Sequence, residues 1–73
     1  MASWITGQAF PAVIGKSYEV SFGNQVTHKG QQGNWTAKIR IDGSGTSQWI
    51  DLDTGLPLDP GLARYVVSAY REL

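Results

Sequence analysis

The sequence contains no cysteine, only one histidine and little charge of either sign. Without cysteine, disulfide bonds and thiolate zinc sites are excluded. One histidine is too few for a metal site built from several imidazoles. Six basic residues balance six acidic ones, so long-range attraction to nucleic acid or to an anionic membrane is not expected. The composition therefore predicts no metal and no cofactor.

Long apolar runs are missing as well. No segment approaches the roughly 18 apolar residues that a membrane-spanning helix requires. Residues 1–15 also lack the basic start and the long apolar stretch of a secretory signal. We therefore expect a cytoplasmic protein that does not contact a membrane.

The apolar residues that are present, 41% of the chain, suffice for one small core. Their order predicts a single α+β domain over residues 1–73. Residues 1–16 are apolar but irregular and contain Pro11, which indicates an edge strand or an extended arm. Residues 17–53 alternate as antiparallel strands do, and residues 59–73 have the spacing of a helix. We expect a small antiparallel sheet of about three to five strands with one C-terminal helix packed on it.

The strand region is predicted to contain two hairpins. In the first, alternate residues share one apolar face: Tyr18, Val20 and Phe22. Gly23–Asn24 accepts a positive φ and can close a two-residue turn. The chain then returns as Val26–His28, and His28 lies opposite Glu19.

The second hairpin is predicted from the strand Trp35–Ile41, which alternates apolar and polar side chains. Asp42–Gly45 has the composition of a turn, and Thr46–Leu52 is the returning strand. The turn and the apolar pattern agree on a register that places Ala37 opposite Ile50 on the core face.

A helix is predicted to begin at Asp59, as N-cap, with Pro60 in the first helical position. Four apolar residues then fall on one helical face: Leu62, Val66, Ala69 and Leu73. The spacing predicts that Val66 is buried against the sheet.

The candidate binding residues come from an uneven distribution of charge. Residues 28–41 contain bases and no acid, so His28 and Lys29 are included. In the predicted register Lys38 and Arg40 share the outer sheet face with Trp49. An aromatic ring between two cations can stack a base or anchor a protein partner. Alternatively, the N-terminal arm covers Trp49, and both interpretations remain open.

No residue is predicted to be catalytic. Asp51, Asp53 and Asp59 do not fit a calcium loop, which requires Gly at the sixth position and Glu at the twelfth. We expect the first two at a strand end. Asp53–Gly55 resembles the catalytic triplet of aspartic proteases, but only a connector and a helix are expected after it. An enzyme is therefore not expected.

Residues 33–73, with one tryptophan, an alternating strand and a turn, are loosely similar to the DNA-reading domains of tyrosine recombinases. The chain departs from them in its neutral charge and its additional N-terminal strands. The strand Trp35–Ile39, followed by Asp53–Gly55, also resembles small SH3-like or Tudor barrels. An SH3-like barrel with a C-terminal helix is therefore the alternative fold, and neither resemblance identifies a family.

Two classes of function follow from these observations. The first is a small non-enzymatic binding or regulatory protein that acts through protein contact, of the kind that phages and mobile elements use as inhibitors. The second is a nucleic-acid-binding module that uses the Lys38, Arg40 and Trp49 face. Because the chain is short and has an apolar arm and a sheet edge, we also expect a homodimer.

Overall fold

The regular secondary structure of this protein consists mainly of antiparallel β-strands. The computed structural model describes residues 3–73. Its strands lie in two sheets and are β1 (Ile5–Thr6), β2 (Ser17–Ser21), β3 (Val26–His28), β4 (Gln31–Gly33), β5 (Thr36–Ile41), β6 (Trp49–Asp51) and β7 (Ala69–Glu72). A 3₁₀ turn covers Thr46–Gln48, and the short helix α1 covers Pro60–Ala63. No helix among the described residues is long and apolar enough to cross a membrane.

The strand β2 lies at the centre of the main sheet, whose order is β1-β7-β2-β5-β6. Its alternating sequence places Tyr18 and Val20 on one face, where both are buried. Glu19 and Ser21 lie on the opposite face. The predicted inward face of this strand is confirmed, and so is a small single domain built on an antiparallel sheet.

The strands β3 and β4 form a separate hairpin, which lies between β2 and β5 in the sequence but outside the main sheet. Lys29 and Gly30 at its tip have φ of 52° and 75°, as a two-residue type I′ turn requires. The predicted turn at Gly23–Asn24 and the predicted pairing of His28 with Glu19 are wrong. Both sides of β2 are already paired, with β5 and β7, so β3 has no place beside it.

The strands β5 and β6 pair in a different register from the predicted one. Ile50 lies opposite Arg40 rather than opposite Ala37. Because the shift is an odd number of residues, it exchanges the two faces of β6. Trp49 therefore joins the covered face of the sheet, and Ile50 leaves it. The 3₁₀ turn before β6 occupies residues that were expected to extend the strand.

The C-terminal segment departs furthest from the prediction. The helix predicted over residues 59–73 ends at Ala63, and Ala69–Glu72 is the strand β7. Val66, predicted to be buried, is 86% exposed. Since β7 lies between β1 and β2, it satisfies backbone hydrogen bonds of both, and this pairing overrides the helical spacing. The α+β fold with a packed C-terminal helix is wrong, and so is the SH3-like alternative with the same helix.

The start of the predicted helix is confirmed. Asp59 Oδ1 accepts a hydrogen bond from the Gly61 N–H at 2.8 Å and caps α1. The chain beyond α1 is held by Tyr65, whose hydroxyl accepts from the Thr27 N–H and donates to the Thr27 carbonyl, both at 3.3 Å. Arg64 donates to the same hydroxyl. The hydrogen bonds that this oxygen accepts, from Arg64 and from the Thr27 N–H, lower the pKa of Tyr65.

One face of the main sheet is covered and the other is open to solvent. On the covered face, the Phe10 ring contacts three aromatic rings at 4.9, 5.3 and 5.3 Å between centroids, those of Tyr18, Trp49 and Tyr70. Leu58 and Leu62, from the connector and α1, are buried in the same core. The open face carries alternate residues of β2, β5 and β7.

Candidate binding cleft

A cleft of about 500 Å³ lies where the β3–β4 hairpin, β6 and the connector to α1 meet. Its volume falls within the range of about 300–1,000 Å³ that is typical of ligand pockets. The titratable groups that line it are His28, Lys29, Asp51, Asp53 and Asp59. We refer to it as the Trp35 cleft, after the aromatic residue in its wall.

His28 ends β3 with its side chain turned inward, and that side chain is only 8% exposed. The ring packs edge-on against Trp35, with 4.8 Å between the ring centroids. A Cβ at position 61 would lie 2.8 Å from His28 Nδ1, so Gly61 is what allows α1 to lie this close. His28 Nε2 is 3.6 Å from Asp59 Oδ2, which is too long for a hydrogen bond.

The His28 ring makes no hydrogen bond within residues 3–73. In the same part of the chain, no fully buried side-chain nitrogen or oxygen lacks a hydrogen-bond partner. The His28 nitrogens are therefore not fully buried, and His28 is among the residues that line the Trp35 cleft. There a neutral imidazole offers one donor and one acceptor to an occupant.

The acidic side of the Trp35 cleft comes from the end of β6. Asp51 Oδ1 accepts the Asp53 N–H at 2.8 Å, which orders the turn that follows the strand. Neither carboxylate has a basic partner within 4.0 Å in the described chain. Lys29 is the only Lys or Arg among the lining residues, against three carboxylates. The interior of the cleft is therefore negative.

Metal-binding groups of three or more His, Asp or Glu residues do not occur within residues 3–73. The acids that line the cleft lie on separate elements, at the end of β6 and before α1. Their arrangement thus presents spaced negative charges to an occupant.

The apolar part of the wall includes Trp35, Leu56 and Pro57. The Trp35 indole N–H donates to the Gln31 carbonyl at 3.2 Å, which holds the ring in place. Leu56 is 65% exposed at the rim. A rigid aromatic wall beside an exposed leucine is the kind of surface at which a partner's anchoring side chain is buried.

The five predicted binding residues are not brought together. His28 and Lys29 line the Trp35 cleft. Lys38 and Arg40 lie on the open face of the main sheet, whereas Trp49 lies on the covered face, under the N-terminal segment. The prediction that Trp49 shares a face with Lys38 and Arg40 is therefore wrong.

The charges on the open face are largely paired within the chain. Arg40 donates two hydrogen bonds to Asp42, at 2.7 and 3.1 Å, and these lower the pKa of Asp42. Arg71 Nε donates to Glu19 at 2.7 Å, and its guanidinium lies 5.0 Å from the centre of the Trp4 ring. Arg40 and Arg71 are thus both paired, and Lys38 is the cation of this face that has no ion pair among the described residues.

The sequence does not predict the grouping of His28 with the acids, because the motifs that those acids were compared with, a calcium loop and the catalytic triplet of aspartic proteases, do not include a histidine. The residues that could have indicated this grouping are Lys29 and Gly30. A two-residue turn there ends β3 at His28 and pairs His28 with Gln31 of β4 instead of with β2. Comparison of the chain with protein-family models, curated proteins and solved structures found no match.

Proposed function

We propose that this protein is a small non-enzymatic binding protein that acts through contact with another protein at the Trp35 cleft. The observation that carries the proposal is the combination of a concave site of about 500 Å³, a held aromatic wall and an exposed apolar rim. Interfaces concentrate their binding energy where such pockets receive an anchoring side chain. A regulatory role, such as inhibition of a larger assembly, belongs to the same proposal.

The nucleic-acid alternative has less support. It required an aromatic ring between two cations, and Trp49 lies on the opposite sheet face from Lys38 and Arg40. The Trp35 cleft carries negative charge, which repels phosphate. We therefore keep nucleic acid only as an outcome of the test.

The test is site-specific photocrosslinking in extract of the source cell. Leu56 replaced by p-benzoylphenylalanine puts the probe at the rim of the cleft, and Val66 replaced in the same way is the control. Val66 is 86% exposed and does not line the cleft. We expect one protein adduct of defined mass from position 56, absent from position 66, resistant to nuclease and abolished by excess unmodified protein. Equal labelling from both positions, or a nuclease-sensitive adduct, would contradict the proposal.

Self-association is a second part of the proposal. Within residues 3–73 the edge strand β1 pairs only with β7, and both Ile5 of this strand and the preceding Trp4 are exposed. The other edge, β6, is occupied by the connector, since Leu58 N–H donates to the Trp49 carbonyl at 2.7 Å. We expect light scattering at micromolar concentration to give a mass twice the 8.0 kDa of the chain. A mass of one chain would refute the homodimer.

The cytoplasmic location expected from the sequence also belongs to this proposal. Fractionation of the source cell, followed by detection of an epitope-tagged copy, tests it directly.

A further inference from the structure

We infer that the Trp35 cleft recognises a guanidinium group, the side chain of an arginine on the partner protein. The inference rests on the proposed function, because it names the chemistry by which that contact is made. Three features of the cleft carry it: its uncompensated carboxylates, its buried imidazole without a hydrogen bond, and its aromatic wall.

The carboxylates supply the charge. Asp51 and Asp53 have no basic partner within 4.0 Å in residues 3–73. Asp59 Oδ1 accepts a hydrogen bond from the Gly61 N–H, and Asp59 Oδ2 lies 3.6 Å from His28 Nε2. Carboxylates that are not already neutralised by the chain attract a cation into a concave site.

His28 favours a cation that carries several hydrogen-bond donors in one plane over a compact cation. Its side chain is about nine-tenths buried, is a lining residue of the cleft and makes no hydrogen bond within the described residues, although its ring nitrogens are not fully buried. Guanidinium carries five N–H donors in one plane, so it can satisfy a carboxylate and an imidazole acceptor together. A compact ammonium ion lacks this planar array of donors.

Trp35 provides the third element. Its N–H is already used by the Gln31 carbonyl, so the ring offers only its π surface to an occupant. Guanidinium groups stack on aromatic rings more readily than ammonium groups do. Lys29 at the hairpin tip is the opposing feature, because its positive charge also lies at the cleft.

The probes for the test are N-acetyl-arginine amide and the uncharged isostere N-acetyl-citrulline amide, titrated into the full chain and followed by NMR at the Trp35 indole and the Leu56 amide. We expect the arginine probe to bind at least tenfold more tightly than the citrulline probe. The double variant Asp51→Asn, Asp53→Asn keeps the shape of both side chains and should weaken arginine binding at least fivefold. Asp42→Asn, on the far side of the sheet and paired with Arg40, should leave it unchanged.

A variant that strengthens binding guards against loss of structure as the explanation. Lys29 has φ of 52°, a conformation that asparagine tolerates. Lys29→Asn should therefore keep the turn, remove the repulsive charge and tighten arginine binding about twofold. Equal binding of both probes, or no effect of the aspartate variants, would overturn the inference. So would calcium chloride at matched ionic strength, if it shifted the Trp35 indole and Leu56 amide signals as much as the arginine probe does. If position 56 crosslinks a protein but the arginine probe does not bind, guanidinium recognition fails while the proposed function stands.

Discussion

Tyr70→Ala is expected to remove a large part of the free energy of unfolding. Tyr70 is 8% exposed in β7, opposite Val20 of the central strand. Its ring lies 5.3 Å from Phe10 and 6.1 Å from Tyr18. Truncation of a buried aromatic residue costs about 3–5 kcal/mol, whereas a domain of this size has roughly 4–11 kcal/mol in total. Urea denaturation followed by tryptophan fluorescence measures the loss.

Val66→Asp is the matched control. If the C-terminal segment were a helix packed on the sheet, Val66 would be buried and this substitution would be the damaging one. Because Val66 is exposed between α1 and β7, we expect the free energy of unfolding of the Val66→Asp variant to lie within about 0.5 kcal/mol of that of the parent. If Val66→Asp unfolds the protein while Tyr70→Ala does not, the C-terminal segment is helical and the strand assignment is wrong.

Phe10→Ala is expected to lower the melting temperature by on the order of 15 °C. Phe10 is the residue through which the N-terminal segment enters the core, and it contacts Tyr18, Trp49 and Tyr70. Loss of these contacts costs about 3 kcal/mol, and a domain of this length loses roughly 4–8 °C for each kcal/mol. Differential scanning calorimetry gives both the melting temperature and the enthalpy.

The control for Phe10→Ala is Ile14→Ala, an apolar truncation in the same segment at a residue that is 62% exposed. It should melt within a few degrees of the parent, since surface substitutions change stability by about 0.5 kcal/mol or less. Similar melting of parent and Phe10→Ala would show that the N-terminal segment is not part of the core.

The parts of the fold that were predictable are those in which local sequence and tertiary pairing agree. Alternation in β2 and β5 identified buried Tyr18, Val20 and Ile39 because each strand has one face on the core. Asp59 was identifiable as a cap because capping involves only the first turn of a helix. In these segments, pairing with distant strands reinforces the local pattern.

The C-terminal strand was not predictable from spacing because two periodicities coexist in one segment. Leu62, Val66 and Ala69 fit a helical face, while burial of Tyr70 follows from pairing with β2, about fifty positions earlier in the chain. The register of β6 failed for a related reason, since the turn before it includes a 3₁₀ segment. Short strands leave the hydrophobic pattern few residues with which to specify a register.

The candidate site was only partly accessible from the sequence. His28 and Lys29 were selected for their charge, and both line the Trp35 cleft. Their relation to Asp51 and Asp53 depends on how the inserted hairpin folds beside β6, which is a tertiary arrangement. Trp35 was assigned to the core face of a strand, and in the structure it is half-buried with one side in the cleft.

The position of β7 between β1 and β2 determines when the sheet can be completed during synthesis. A ribosome makes β1, β2, β5 and β6 before residues 69–72 exist, so the nascent chain carries β2 with one edge unpaired. Such an edge can pair with a strand of another chain. We therefore expect nascent chains to depend on chaperones until β7 emerges, and ribosome-stalled chains that lack β7 to aggregate more than chains that contain it.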